Sequence, residues 1–404
     1  GAFNATLDLL AGRYPSDEFS ELRPRIIWDR NAGTIEGRPG AQRLAVVSGG
    51  TIPDRGLFGV YLVGEEDSKS SKRVGELDEE MVYESRVGDV FALGATSWRI
   101  EDITFDRVLV TPAFGQPGKL PFWKGDSLGR PLELGQALGE FIREVSGADE
   151  TAAVARCEGI GLDSYAAGNL VAYLTEQQQS TTVVPNDRAL LVERFHDELG
   201  DWRVVLHSPF GMPVHAPWAL AVGRRLQERY GLDGSVMAAD DGIVLRVPLM
   251  EDEPPGAELF LFEPEELERI VTEEVGGSAL FASRFRECAA RALLLPRQTP
   301  GKRQPLWQQR QRAAQLLDVA KKYPQFPIVL ETVRECLQDV YDLPALQDVA
   351  GRIERREIQI SETTTSQPSP FARSLLFGYV AQFLYEGDSP LAERRAAALS
   401  LDSG

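Results

Sequence analysis

Hydrophobic and polar positions change period several times along the chain, and each change marks an expected element. Between Gly49 and Asp126 the apolar runs are short: Leu57–Val63, Val82–Glu84, Asp89–Leu93, Ser97–Ile103 and Arg107–Thr111. Apolar and polar residues alternate through Trp98-Arg99-Ile100-Glu101-Asp102-Ile103, the pattern of a half-buried strand. Gly, Asp and Pro punctuate these runs, which predicts a small antiparallel barrel or curled sheet. Residues 65–80, polar and serine-containing, read as a solvated hairpin tip. Beyond Asp126 the period lengthens, and Leu132–Val145, Ala152–Cys157 and Ser164–Gln177 predict helices. Arg188–Phe195, Trp202–His207, Ser235–Ala239 and Gly242–Pro248 read as strands. They surround a helix over Pro217–Tyr230 whose Trp218, Val222, Leu226 and Tyr230 share one face. Helical spacing then dominates Glu263–Val275, Ala279–Leu294, Pro305–Lys322, Ile328–Val340 and Leu343–Glu354, with a late strand at Ile358–Ile360 and a closing helix over Phe371–Tyr385.

The start of the chain has a different character. Residues 1–12 finish a helix with Gly12 as its stop. Pro24–Arg30 and Gln42–Val47 then flank a Gly/Pro-rich turn. Helix, loop and hairpin form the back half of a winged helix, with the hairpin as wing. The front helices are absent and the chain opens on Gly1 rather than Met, so a segment of something longer is expected. The fold class expected is α+β and multidomain: a partial winged helix over 1–55, a small antiparallel β-barrel over 56–130, a mixed α/β module over 131–250 and a C-terminal helical bundle over 251–404. A length of 404 residues suits two to four domains.

Charge narrows the function classes. The net charge is −18, from 43 basic and 61 acidic side chains, which argues against non-specific nucleic-acid binding over the whole surface. The charges are segregated, however. Residues 251–274 carry ten acidic side chains and one basic, whereas residues 291–322 carry eight basic and one acidic. Within the basic stretch, Arg297, Lys302, Arg303, Arg310 and Arg312 suit backbone phosphates. They equally suit a solvated face paired with the acidic segment before it. No run of about 18 apolar residues predicts a membrane span. Cys157, Cys288 and Cys336 are far apart, match no metal-site spacing and read as buried thiols of a reducing cytoplasm.

Candidate chemistry is sparse. His207 and His215 flank Ser208-Pro209-Phe210-Gly211-Met212-Pro213, but no nucleophile elbow accompanies them, so structural loop histidines are expected, and no catalytic residue or metal ligand is assigned. The barrel offers an apolar residue in a Gly/Pro loop at each end, Ile52 at one and Trp123 at the other. Trp123 beside Lys124 suits stacking on an unpaired base while the ammonium meets a phosphate. On spacing alone, Trp123 reads instead as a plug for the end of the barrel.

Longer motifs reverse that preference. Ala11-Gly12-Arg13-Tyr14-Pro15-Ser16-Asp17, Arg23-Pro24-Arg25-Ile26-Ile27-Trp28-Asp29-Arg30 and Gly49-Gly50-Thr51-Ile52-Pro53-Asp54-Arg55-Gly56 resemble consecutive signatures of the large helicase-related family of ATP-dependent DNA helicases. The resemblance resumes at Pro121–Asp126, Pro305-Leu306-Trp307-Gln308-Gln309-Arg310 and Ser369-Pro370-Phe371-Ala372. It ends with Phe377-Gly378-Tyr379 and Tyr385–Arg395. It thus runs in order along essentially the whole chain, as the end of the winged helix plus the large accessory domain. It implies an accessory region of a 3'-to-5' DNA helicase with roles in DNA repair, gripping the single-stranded tracking strand. Thr51, Ile52, Arg55, Trp123, Lys124, Arg297, Lys302, Arg303 and Arg310 are the contacts it suggests. ATP and Mg would belong to RecA-like motor domains that are partners outside this sequence. The chain has no Gly-x-x-x-x-Gly-Lys-Ser/Thr run, so ATP hydrolysis by this piece alone is not expected. Two other classes stand beside this one. A DNA glycosylase-like repair enzyme would draw on Gln309 and Gln311, though these lie about 200° apart on a helix. A pure assembly module would bind no strand.

Overall fold

The computed structural model describes residues 2–20, 22–48, 57–63, 73–78, 82, 85–93, 96–104, 107–113, 129–197, 200–231, 236–248, 254–295, 298–299, 302–303 and 306–376. In chain order the first elements are α1 (Ala2–Leu10), β1 (Ile26–Asp29), β2 (Thr34–Gly37) and α2 (Ala41–Ser48). Five strands follow: β3 (Leu57–Leu62), β4 (Arg73–Asp78), β5 (Val90–Leu93), β6 (Thr96–Ile103) and β7 (Arg107–Pro112). Then come α3 (Leu132–Ser146), α4 (Glu150–Glu158), α5 (Ser164–Thr181), β8 (Ala189–His196), β9 (Trp202–His207), α6 (Met212–Tyr230), β10 (Val236–Ala239) and β11 (Gly242–Val247). The remainder comprises α7 (Pro264–Val275), α8 (Ala279–Arg291), β12 (Gln298–Thr299), β13 (Lys302–Arg303), α9 (Leu306–Ala320), α10 (Pro327–Arg334), α11 (Leu343–Glu354) and β14 (Gln359–Thr364). A helical run over 370–376 ends the described chain.

These elements form two compact units, Gly1–Asp126 with Gly277–Cys336, and Ser127–Gly276 with Leu337–Gly404. This division is coarser than the four parts expected. It also cuts the helical tail: α8, α9 and α10 belong to the first unit, α7 and α11 to the second.

In the first unit a sheet runs in the order β4-β3-β7-β6-β5. Its pairs are antiparallel except β3 with β7, which is parallel. Along β7 the burial alternates, with Val108 and Val110 inside and Arg107 out. Val60, Leu77, Phe91, Ile100, Val108 and Val110 make one apolar core. Two sequence expectations need correction. The polar tip read over 65–80 contains β4, whose Leu77 is wholly buried against that core. Of Val82–Glu84 only Val82 is described. It joins the core without being a strand.

The wing also differs from expectation. β1 pairs with β2, not with Gln42–Val47, which is helical α2. The Asp29 carboxylate accepts from the Asn31 and Ala32 amides, and Gly33 takes a φ of 67°, so the chain turns at once into β2. Val46 and Val47 favour a strand, but the helix-forming Ala41-Gln42-Arg43-Leu44-Ala45 precedes them and only Leu44 is buried. Helices α8, α9 and α10 pack together around Phe281, Phe285, Leu316, Leu317 and Ile328.

The second unit carries the sheet β10-β11-β9-β8-β14, antiparallel except for β14 against β8. Its central strands are nearly continuously buried because both faces are covered. Leu190, Val192, Val204, Leu206, Ile243 and Leu245 face α6, α7 and α11. Phe195, Val205 and Val244 face Ala372 and Leu375 of the last helical run. Pro213 hid the start of α6, which begins five residues before the expected Pro217. Pro213 stands in the first turn, where a missing N–H costs nothing. A separate cluster joins α3, α4 and α5, the last two capped by Asp149 and Asp163 accepting from the Ala152 and Ala166 amides.

Candidate nucleic-acid interface

Of the residues expected to meet a strand, Thr51, Ile52, Arg55, Trp123, Lys124 and Arg297 lie outside the described residues. Lys302 and Arg303 form β13, paired with Thr299 and Gln298 of β12, and Arg310 lies on α9. The β12–β13 ribbon lies against α2, the helix that leads into Gly49. The fold therefore places the basic ribbon beside the helix that precedes Ile52 in the chain. The next described element is β3, from Leu57. Because β3 and β7 are parallel, the chain enters β3 at one end of the sheet and leaves β7 at the other.

Several motif residues nearby build the scaffold. Gly12 has a φ of 83°, and a Cβ there would lie 2.5 Å from Cγ of Pro24, so glycine is required on both counts. The Arg25 amide donates to the Leu10 carbonyl (2.7 Å) and its Nε to the Leu293 carbonyl (2.9 Å). Burial lowers the Arg25 pKa, opposed by nearby Tyr14. Arg30 pairs with Asp8 and lies 4.3 Å over the Trp28 ring. Gly12, Pro24, Arg25, Trp28 and Arg30 thus tie the wing to α1.

The histidines are engaged in packing, and neither is in a loop. His215, on α6, is fully buried, with Nδ1 2.6 Å from the Ala239 carbonyl and Nε2 2.7 Å from the Ser208 hydroxyl. Only Nδ1–H can serve the carbonyl, so Nε2 accepts from Ser208. Burial lowers the His215 pKa to about 4, outweighing the raising effect of Ala239, Asp241 and Asp240. This is the contact of a nucleophile with its base, but Ser208 is 2% exposed and no substrate carbonyl can approach it.

His207 ends β9 and makes a 2.8 Å contact from Nε2 to Glu193, which is wholly buried on β8. Glu193 also accepts from the Ser369 amide (2.8 Å), the Ser369 hydroxyl (2.6 Å) and the Thr365 hydroxyl (2.9 Å). Burial alone would raise its pKa; the bonds from His207 and Ser369 bring it below the usual carboxylate value. The Phe371 amide donates to buried Gln177, and its ring stacks on Tyr173 at 5.2 Å. Glu193 was not singled out from the sequence. The signal was there: an acid directly after the apolar run Leu190-Leu191-Val192, within a segment that reads as a buried strand.

Among the described residues no cluster of His, Cys, Asp and Glu is arranged to hold a metal, and the three cysteines are free and buried. Cys336 is pushed up to about 12 by burial, a neutral thiol. Glu258, Glu266 and Glu274 of the acidic stretch meet Tyr230, Arg225 and Arg224 of α6. No helix among the described residues is long and apolar enough to cross a membrane.

Comparison with known proteins gives two family matches. One, described as "Large helicase-related protein, winged helix domain", covers residues 1–120, and one described as "DEAD/H associated" covers 184–372. A Mycolicibacterium smegmatis protein named "Lhr helicase/ probable uracil glycosylase" is 67% identical over 402 residues, 100% of this chain and 26% of that protein. The chain belongs to the large helicase-related family. An Escherichia coli relative in the large helicase-related family, "Lhr helicase/uracil glycosylase", is 57% identical over 401 residues, 99% of this chain and 26% of that protein. The chain therefore spans about a quarter of the length of these curated relatives. A solved structure, "Structure of Mycobacterium smegmatis helicase Lhr bound to ssDNA and AMP-PNP", matches with a TM-score of 0.71 and 57% identity over 93% of this chain and 43% of that one. The winged-helix match of the large helicase-related family continues through the β3–β7 sheet, well past the boundary expected at residue 55. Its DEAD/H-associated match begins just before β8 and ends in the last helical run.

Proposed function

We propose that this chain is the strand-gripping accessory region of an ATP-driven 3'-to-5' DNA helicase with a role in DNA repair, acting in the cytoplasm. The observation that carries the reading is the 57% identity to a helicase described with single-stranded DNA and AMP-PNP bound. In this reading the β1–β2 hairpin is the wing of a partial winged helix, the β3–β7 sheet curls into a small barrel, and the later parts form a mixed module and a helical one. Ile52, with Thr51 and Arg55 beside it, wedges against a base. Trp123 stacks on another, with Lys124 on the phosphate. Arg297, Lys302, Arg303 and Arg310 neutralise backbone phosphates. The adjacency of α2 and the β12–β13 ribbon supports grouping the first and third sets. ATP and Mg act in motor domains of the parent protein, and this chain alone does not hydrolyse ATP.

The test is Trp123→Ala. Stacking is worth roughly 1–3 kcal/mol per base, so strand affinity should fall about five- to a hundredfold with the melting temperature nearly unchanged. In the complete helicase, ATP hydrolysis should outlast duplex unwinding. A folded variant that unwinds normally would show that Trp123 is not the stacking residue, and one that loses several kcal/mol of stability would show it to be a plug. The glycosylase reading is not favoured in this chain. Gln309 and Gln311, the polar pair it would draw on, occupy helix positions about 200° apart. Release of uracil by the isolated chain would reverse that judgement.

A further inference from the structure

Within the first unit a groove of about 510 Å³ opens between α1, the loop at Arg13–Ser16 and the turn joining α9 to α10. Its size suits a small-molecule site. Tyr14 and Tyr323 line it, together with the exposed Pro15, Pro324 and Pro327. Buried Phe19 backs both tyrosines, its ring 5.9 Å from Tyr14 and 5.4 Å from Tyr323, and it packs at 4.9 Å on Phe326. The walls are therefore fixed by packing, which favours a flat ligand that needs no rearrangement.

The polar groups in the lining narrow the ligand. Arg13 and Lys322 both line the groove, with side chains 65% and 59% exposed. Arg13 is 3.6 Å from Asp8, and Lys322 donates to Glu18 at 2.5 Å. Such exposed pairs contribute little and exchange readily for another anion. Gln325 adds an amide that can read a base edge. A proline-rich peptide would use the tyrosines and prolines but brings no anion to two cations. A nucleotide uses all three features.

We propose that this groove is a further contact for one unpaired nucleotide, with its base against the Tyr14, Tyr323 and proline walls, its phosphate at Arg13 and Lys322, and Gln325 at the base edge. This rests on the reading that the chain grips a single strand, and adds a site that reading does not contain. The test uses the full chain and an iodouracil-substituted single-stranded oligonucleotide, with crosslinks mapped by mass spectrometry. Crosslinks should appear at Tyr14 or Tyr323. The exposed double variant Arg13→Gln/Lys322→Gln should keep its melting temperature, lose those crosslinks and bind about fivefold or more weakly at low salt. Strand binding with crosslinks elsewhere and an unaffected double variant would overturn the groove and leave the strand-gripping reading intact. If no oligonucleotide binds, that reading falls, and the free nucleotide 5-iodo-dUMP decides the groove alone: labelling of Tyr14 or Tyr323 keeps the site and its absence removes it. Displacement of the bound nucleotide by an oligoproline peptide would assign the groove to a protein ligand and overturn the proposal.

Discussion

In the β3–β7 sheet one face holds the buried core of Val60, Leu77, Phe91, Ile100, Val108 and Val110. The other face carries Arg107 over the Tyr61 ring at 5.2 Å and a Thr111–Glu101 hydrogen bond. In the β8–β11 sheet the strands are apolar on both faces, and the second face also holds Glu193 and His207 beneath Ser369. The one-faced sheet leaves a polar surface free to meet solvent or a partner. The two-faced sheet gives that up and gains a second core, whose cover is held in place by a fully engaged buried carboxylate. Polar groups are exchangeable in the first setting and costly to disturb in the second.

The sharpest way to break this contrast is to remove one carboxylate from each. Glu193→Ala strands His207 and Ser369 in a buried site and should cost about 3–5 kcal/mol in denaturant unfolding. Glu101→Ala at the exposed face should cost less than about 1 kcal/mol. Equal losses would remove the distinction. Apolar truncation should order the sheets the same way. Leu206→Ala, on a central strand, belongs near the upper end of the roughly 2–5 kcal/mol range, and Leu77→Ala, on outer strand β4, near the lower end. Thermal melts of the two variants test that ranking.

Acid should sharpen the comparison next, because His215 lies in the second unit. Its folded pKa of about 4 is below the unfolded value of 6.5. The unfolded chain therefore binds the proton first as pH drops. The stability held in the neutral ring is complete above about pH 6.5 and is lost as pH falls towards 4, on the order of 3 kcal/mol in all. Proton NMR should show one histidine titrating near 4. An imidazole titrating near 6.5 at that position would contradict the burial argument. The smallest effect belongs to Tyr14, whose hydroxyl is shielded and has no hydrogen-bond partner among the described residues. Tyr14→Phe should leave stability unchanged or raise it by about 0.5–1 kcal/mol, read from the melting temperature.

Legibility in the sequence followed the same divide. The two-faced strands declared themselves through the apolar runs Leu190–Val192, Val204–Leu206 and Ile243–Leu245, and Trp202–His207 and Leu343–Glu354 were read with their observed limits. Gln42–Val47 misled because two valines carry a strand signal, whereas the preceding residues and a single buried leucine decide for a helix. β4 was hidden by polar neighbours, since only Val74 and Leu77 of its sequence reach the core, Val74 in part. The candidate strand contacts were legible only through long motifs. Isolated Ile52 or Lys302 has no periodicity to betray a role. The aromatic groove was illegible for a different reason: Tyr14 and Tyr323 are 309 residues apart (323 minus 14), and only folding brings them together.

The parallel pairing of β14 with β8 has a consequence for biosynthesis. Gln359 stands opposite Ala189, so 170 residues (359 minus 189) separate the partners. At about 5–20 residues per second, translation needs about 10–30 s to cross that interval. Throughout it β8 has its β14-side edge unfilled, an invitation to pair with another nascent chain. The chain that must be synthesised in the meantime includes α8, α9 and α10, which belong to the other unit. A ribosome-bound chain halted before Gln359 should therefore be the form most dependent on chaperones, and release of β14 from the exit tunnel should be the step that ends the dependence.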